Sequence, residues 1–465
     1  MNLVICLAAL VFLMAIAYRG FSVILFAPVA AMGAVLVTDP AAVPPIFSGL
    51  FMEKMVGFLK LYFPVFLLGA VFGKLVEISG FARSIVGAVT GVLGKGRSII
   101  AIVLVGAILT YGGVSLFVAV FAVYPFAAEL FRQSRIPKRL IPGTIALGAF
   151  TFTMDTLPGT PQIQNIIPAS FFKTDAYAAP WLGVIGAIFI FVLGVAYLEW
   201  RRRAAAAAGE DYGEGHANEP EARDDTAPVH PLIALLPLLI VGIGNRLLLS
   251  AINAFYGAEA KVALSPEMAA NPVTVQVKTV AAIWAVEGAL ILGILATVIL
   301  GFRNVRARFS EGSKAAVAGS LLAGMNTATE YGFGAVIAAL PGFKAISDAL
   351  SAIPNPLVNE AVTVTVLAGV TGSASGGLSI ALGALADRFV QAAQGAGIPL
   401  EVLHRVASMA SGGMDTLPHN GAVITLLAVT GLTHRQSYGD IFAITLIKTA
   451  AVFFVIGVYY ATGIV

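Results

Sequence analysis

The pentapeptide Met-Asp-Thr-Leu-Pro occurs twice, at 154–158 and 414–418, inside apolar stretches that predict membrane crossings. Each copy sets a carboxylate, Asp155 or Asp415, three residues before a helix breaker, Pro158 or Pro418. Proline removes a helical hydrogen bond and pushes the residue before it out of helical geometry, so a new half-helix can begin just beyond. Unsatisfied backbone at bilayer depth is tolerated only beside protein or a water-filled cavity. An aspartate there costs about 3 kcal/mol even on the lenient insertion scale, so something must stabilise it. The free amides and dipole of each new half-helix favour an anion. Polar residues surround each break: Thr156, Gly159, Thr160, Gln162, Gln164 and Asn165 in the first, Thr416, His419, Asn420 and Gly421 in the second. That set suits a hydroxylated carboxylate.

A third polar island, 326–334, carries Asn326, Thr327 and Glu330 within another apolar run. Two apolar stretches, 98–131 and 358–396, are interrupted by glycine pairs, Gly112-Gly113 and Gly376-Gly377. Glycines let two arms turn sharply and approach a ligand closely, which predicts hairpins. Ser115 and Ser379 would add hydroxyl donors from the two tips, with Ser373 and Ser375 beside the second. Asp155, Asp415, Glu330 and His419 are the candidates to carry a coupling ion. His419 stands where the first copy has Gly159, and histidine titrates near physiological pH. A proton is the expected ion; a sodium site built from the aspartates and freed carbonyls is the rival.

These residues need a membrane scaffold, and the composition supplies one. At 58% hydrophobic and 11% charged over 465 residues, with mean hydropathy +0.90, the chain is far too apolar for a soluble fold. One cysteine and five scattered histidines exclude a disulfide framework and offer no metal-ligand cluster. The net charge of +3 includes no basic run interleaved with aromatics, so no nucleic-acid partner is expected. The run 2–17 precedes the first basic residue, Arg19, and reads as a span rather than a cleaved leader.

About ten apolar runs approach the roughly 20 residues a crossing requires. Basic residues flank 98–131 on both sides: Arg83, Lys95 and Arg97 before it, Arg132, Arg135, Lys138 and Arg139 after it. By the positive-inside rule that stretch enters and leaves on the cytoplasmic side as a re-entrant hairpin, while 358–396 enters from the opposite face. Residues 204–230 turn polar and acidic and read as a disordered cytoplasmic linker. The predicted fold is an all-α polytopic membrane protein of two inverted repeats, 1–203 and 231–465. Each has about five spans, one re-entrant hairpin (98–131, 358–396) and one broken helix (139–169, 401–431), an arrangement that places ligand sites where the breaks meet. Both termini fall outside the cytoplasm in this scheme.

Two long motifs, Asp155-Thr156-Leu157-Pro158-Gly159-Thr160-Pro161-Gln162-Ile163-Gln164-Asn165 and Asn326 through Ala338, resemble the gluconate permease family of the ion transporter superfamily. The resemblance runs over nearly the whole chain; the second half departs from the first at His419-Asn420, so a pocket rule cannot be copied between the halves. It implies proton-coupled import of small hydroxylated monocarboxylates such as gluconate or 3-hydroxybutyrate. It also implies a homodimer in the inner membrane whose hairpins and broken helices move as an elevator. Few lysines or arginines are expected at bilayer depth, which favours a monocarboxylate over a di- or tricarboxylate. A passive anion channel would need a continuous polar stripe, and the polar residues cluster at discontinuities instead. An enzyme would need a nucleophile motif or metal-ligand spacing, and the chain has neither; no cofactor is expected.

Overall fold

The structure is a computed structural model that describes residues 2–19, 21–114, 116–219, 229–343, 353–418 and 420–465. Ser115, His419 and 220–228 of the expected linker lie outside the described residues. The chain is an all-α polytopic membrane protein. Among the described residues, five stretches are long and apolar enough to cross a membrane: Pro40–Ile78, Pro180–Ala207, Pro231–Tyr256, Thr279–Leu300 and His434–Thr462. Large apolar side chains such as Leu247, Ile299 and Leu322 lie exposed on them and their neighbours, the surface a bilayer requires.

The first half opens with α1 (Asn2–Tyr18), α2 (Val23–Thr38), α3 (Met52–Ile78) and α4 (Phe81–Leu93). Helices α5 (Ser98–Tyr111) and α6 (Leu116–Gln133) then form hairpin 1, turning at the glycine pair. Next come α7 (Ile141–Ala149), the single turn α8 (Phe152–Asp155) and α9 (Ile163–Phe172), followed by the long α10 (Pro180–Ala207). The second half contains α11 (Pro231–Tyr256), α12 (Val277–Leu300) and the 38-residue α13 (Phe302–Ala339), which packs along α3. Hairpin 2 pairs α14 (Pro356–Thr371) with α15 (Ala374–Gly395); α16 (Leu400–Ser411), α17 (Gly421–Thr430) and α18 (His434–Thr462) complete the chain.

Both arms of hairpin 2 and α18 start on side-chain caps. Asn355 accepts from the Val358 amide and precedes Pro356, Ser373 accepts from the Gly376 amide, and Thr433 and Gln436 form a capping box before α18. Such side chains satisfy amides that have no partner in the first helical turn. Between α11 and α12 an antiparallel ribbon pairs Glu259–Val262 with Val273–Gln276, a departure from the purely helical expectation. The alternating β-branched run Val273-Thr274-Val275 suits a strand.

The expected disordered linker is corrected over its described part. Helix α10 continues through Ala207, and 208–219 lies as a strap across α6, the short turn Lys138–Leu140 before α7, and α17. Glu210 takes a bidentate pair of hydrogen bonds from Arg139 at 2.6 and 2.7 Å. Glu219 pairs with Lys138 at 2.8 Å and with Arg132, while Tyr212 is buried beneath them. Tyr124 donates to the Asn218 carbonyl at 2.8 Å, and Asn218 donates to Ala428 at 2.8 Å. Low hydrophobicity argues against a core, but these acids find the basic cluster formed by Arg132 of α6 and by Lys138 and Arg139 in the turn that follows it, and dock by pairing.

Candidate functional site

Both pentapeptides interrupt a helix. In the first, α8 ends at Asp155 and the chain runs irregularly until α9 begins at Ile163. Gly159 sits at φ +81°, and a Cβ there would lie 2.6 Å from the Tyr177 ring, so both conformation and space require glycine. Tyr111 of hairpin 1 donates to the Pro158 carbonyl at 2.9 Å. Gln162 donates to the carbonyls of Thr110 and Val114 at 2.8 and 3.2 Å, tying the break to the tip of hairpin 1. Thr160 donates to the Thr153 carbonyl, and Asn165 Nδ2 to the carbonyls of Thr160 and Ala176. In the second break, Asn420 donates to the Gly372 carbonyl at 2.7 Å, tying it to hairpin 2, while its Oδ1 accepts from the amides of Ala422 and Val423.

A buried electrostatic lock holds the two breaks together. Lys448 of α18, 2% exposed, pairs with Asp415 and donates to the Phe150 carbonyl at 3.1 Å. Arg405 of α16, fully buried, donates to Asn165 Oδ1 at 3.0 Å and to the carbonyls of Asp155, Ala176 and Ala178. Ser408 donates to the Asp155 carbonyl at 2.6 Å. Carbonyls freed by the first break are thus satisfied by donors more than 200 residues away. His404 completes the cluster through Thr174 and Asn165. The Asp155 carboxylate holds Thr156 on one oxygen at 2.6 Å; its Oδ2 is buried and unpartnered, lying where a Cβ on Gly412 would sit. Two acids and two bases of equal formal charge therefore meet at the breaks. Lys448 is the one charged residue in the apolar run 441–463, a signal available in the sequence.

A cavity of about 900 Å³ opens beside this lock, between the hairpin tips, α3, α12 and α13. The structure brings Gly113, Gln162, Asn326, Thr327, Glu330, Asp415 and Asn420 to its wall, with Gln164, Ser373 and Ser375. It places the other expected residues elsewhere. Asp155, Thr156, Thr160 and Asn165 are buried within the first break. Thr416 bonds Thr445, Ser379 donates to its own helix at Ser375, and Gly112 packs on Leu238. Gly377 lies against the Ala368 backbone, closing the two arms of hairpin 2.

Three helix N-termini converge on the cavity. The cap residues Gln162 of α9, Ser373 of α15 and Asn420 of α17 all line it, and α9 has no side-chain cap. Glu330 is 3% exposed and its Oε2 has no partner. That oxygen sits 1.7 Å from where a Cβ on Gly376 would lie, so the carboxyl rests on the first turn of α15 only because position 376 is glycine. Thr327 Oγ1 lies 3.2 Å from Ser375 Oγ, linking α13 to the tip of hairpin 2.

Discontinuous helices around a cavity that carries carboxyl, hydroxyl and amide side chains in an apolar bundle suit a membrane transporter. The chain is 58% identical over 476 residues to the uncharacterized transporter YxjC of Bacillus subtilis (strain 168), covering all of both proteins. It belongs to that transporter family. No protein-family model matches the chain. Two solved structures share the fold at 14% identity. The YdaH transporter of Alcanivorax borkumensis superposes with TM-score 0.52 over 91% of this chain and 90% of that one. Neisseria gonorrhoeae MtrF, described within a class of antimetabolite efflux pumps, superposes with TM-score 0.52 over 90% and 84%.

Proposed function

We propose that the protein is a secondary active transporter that imports a small hydroxylated monocarboxylate together with protons. The observation that carries this reading is the convergence of three helix N-termini, one of them uncapped, on a cavity that also contains the unpartnered oxygen of Glu330. Helix N-termini favour an anion, Asn326, Thr327, Ser375 and Gln164 offer hydrogen bonds to hydroxyls, and Glu330 offers a site for a proton. Asp415 is held by Lys448 and Asp155 lies off the cavity wall, so Glu330 takes the coupling role in preference to the aspartates. Among the described residues that line the cavity, the cation is Lys74, paired with Glu77 at 2.7 Å, which leaves none of them as a free positive charge for a second substrate carboxylate. The resemblance to gluconate permeases supports the same substrate class.

In this reading the halves are inverted repeats, the protein is a homodimer in the inner membrane with both termini outside the cytoplasm, and the hairpins move as an elevator. The test is uptake of labelled 3-hydroxybutyrate and gluconate into sodium-free proteoliposomes under an inward proton gradient. Accumulation abolished by a protonophore is expected. Uptake only after sodium addition overturns the proton, and uptake of neither acid under both ions overturns the substrate class.

A further inference from the structure

Glu360 lies in α14, the first arm of hairpin 2, fully buried and with neither carboxyl oxygen hydrogen-bonded. Around it on the same arm, Leu357, Ala361 and Val364 are also fully buried. Helix α14 packs against α15, α16, α18 and α1. These carry Asp387 and Arg388 (α15), Glu401, His404 and Arg405 (α16), and His434, Arg435, Asp440 and Lys448 (α18), while α1 carries no charged residue. None of them reaches Glu360 with a hydrogen bond or ion pair. Arg405 is spent on Asn165 and carbonyls, Lys448 on Asp415, and Asp440 on Arg201. An ionised carboxylate in such surroundings costs far more than binding a proton, so Glu360 is a neutral acid in this conformation. It stands about 18 Å along the arm from Gly372 at the tip, outside the cavity and distinct from Glu330.

We propose that Glu360 is a second proton-binding site, loaded in this conformation and emptied when hairpin 2 repacks, so that two protons accompany each monocarboxylate. The inference rests on the proton-coupled reading above. One proton rides on Glu330 and one on Glu360, and each cycle moves one net positive charge inward. A neutral amide could replace an acid that never titrates; a proton site requires the carboxyl.

The test is the proton-to-substrate ratio, read in proteoliposomes from the combinations of imposed pH gradient and membrane potential at which net substrate flux is zero. The wild-type protein is expected to give two. Glu360→Gln is expected to give one, with uptake no longer driven by an inside-negative potential, while substrate exchange at equal concentrations persists. The volume-conserving Glu360→Met gives a second reading of the same ratio should the amide disturb packing. A wild-type ratio of one, or a ratio of two retained in either variant, overturns the site. Wild-type uptake indifferent to the proton gradient overturns the parent reading instead.

Discussion

Identical pentapeptides place Asp155 and Asp415 in different circumstances. Asp415 lines the cavity with Lys448 on it, whereas Asp155 is sealed against Gly412 and keeps one oxygen unpartnered. Removing one member of a buried ion pair leaves an uncompensated charge, at a cost of about 3–5 kcal/mol. Lys448→Met should therefore lower the melting temperature in detergent markedly, and adding Asp415→Asn should restore most of it. A double variant no more stable than the single would mean that Lys448 acts through packing alone. Glu330→Gln should lower the proton-to-substrate ratio from two to one, so that an inside-negative potential no longer drives accumulation, while leaving substrate exchange measurable, since the amide mimics the protonated acid. Accumulation at the wild-type level would remove Glu330 from coupling.

Among the elements, the hairpin tips and breaks are fastened in corresponding ways, by Gln162 to hairpin 1 and by Asn420 to hairpin 2. Gly376 is the closest approach in the second tip. In Gly376→Ala the new methyl must displace the Glu330 carboxyl or the tip itself, so uptake should fall at least tenfold with the protein still inserted; unimpaired uptake would show that the carboxyl moves aside freely. The strap 208–219 is held by charge. The hydrogen bonds from Arg139 hold Glu210 below the usual carboxylate range, against a smaller opposing effect of partial burial. A depressed carboxylate contributes stability above its unfolded value and loses it as pH falls through the folded one. Docking should thus hold at neutral pH and weaken only below about pH 4.5. A spin label on Glu214→Cys, an exposed strap position, should gain mobility in that acid window and not between pH 6 and 8; release near neutrality would contradict the pairing.

At the scale of the molecule, an elevator requires hairpin 2 to leave α13. Thr327 and Ser375 lie close enough to be joined as a cysteine pair, with Cys6 the only native cysteine to replace. Oxidation of Thr327→Cys/Ser375→Cys in a Cys6→Ser background should stop uptake, and reductant should restore it. Uptake undiminished in the cross-linked protein would rule out separation of these two elements during transport.

The class of protein, the two breaks, the glycine turns and the polar island around Glu330 were legible in the sequence because each is a local signal. A proline, a glycine pair or an acid inside an apolar run changes backbone or solvation energy wherever it stands. Which acid faces the cavity was not legible, since Asp155 and Asp415 share one pentapeptide and differ only in neighbours from α16 and α18. Nor was the lock, because Arg405 and Lys448 find partners hundreds of residues away, or just beyond the second break. The strap looked like a disordered tether because its composition is polar. Its docking depends on the basic cluster at the end of α6 and in the turn before α7, which only the tertiary structure sets opposite its acids. Local chemistry chose the elements; the low dielectric of the packed interior decided which charges had to meet.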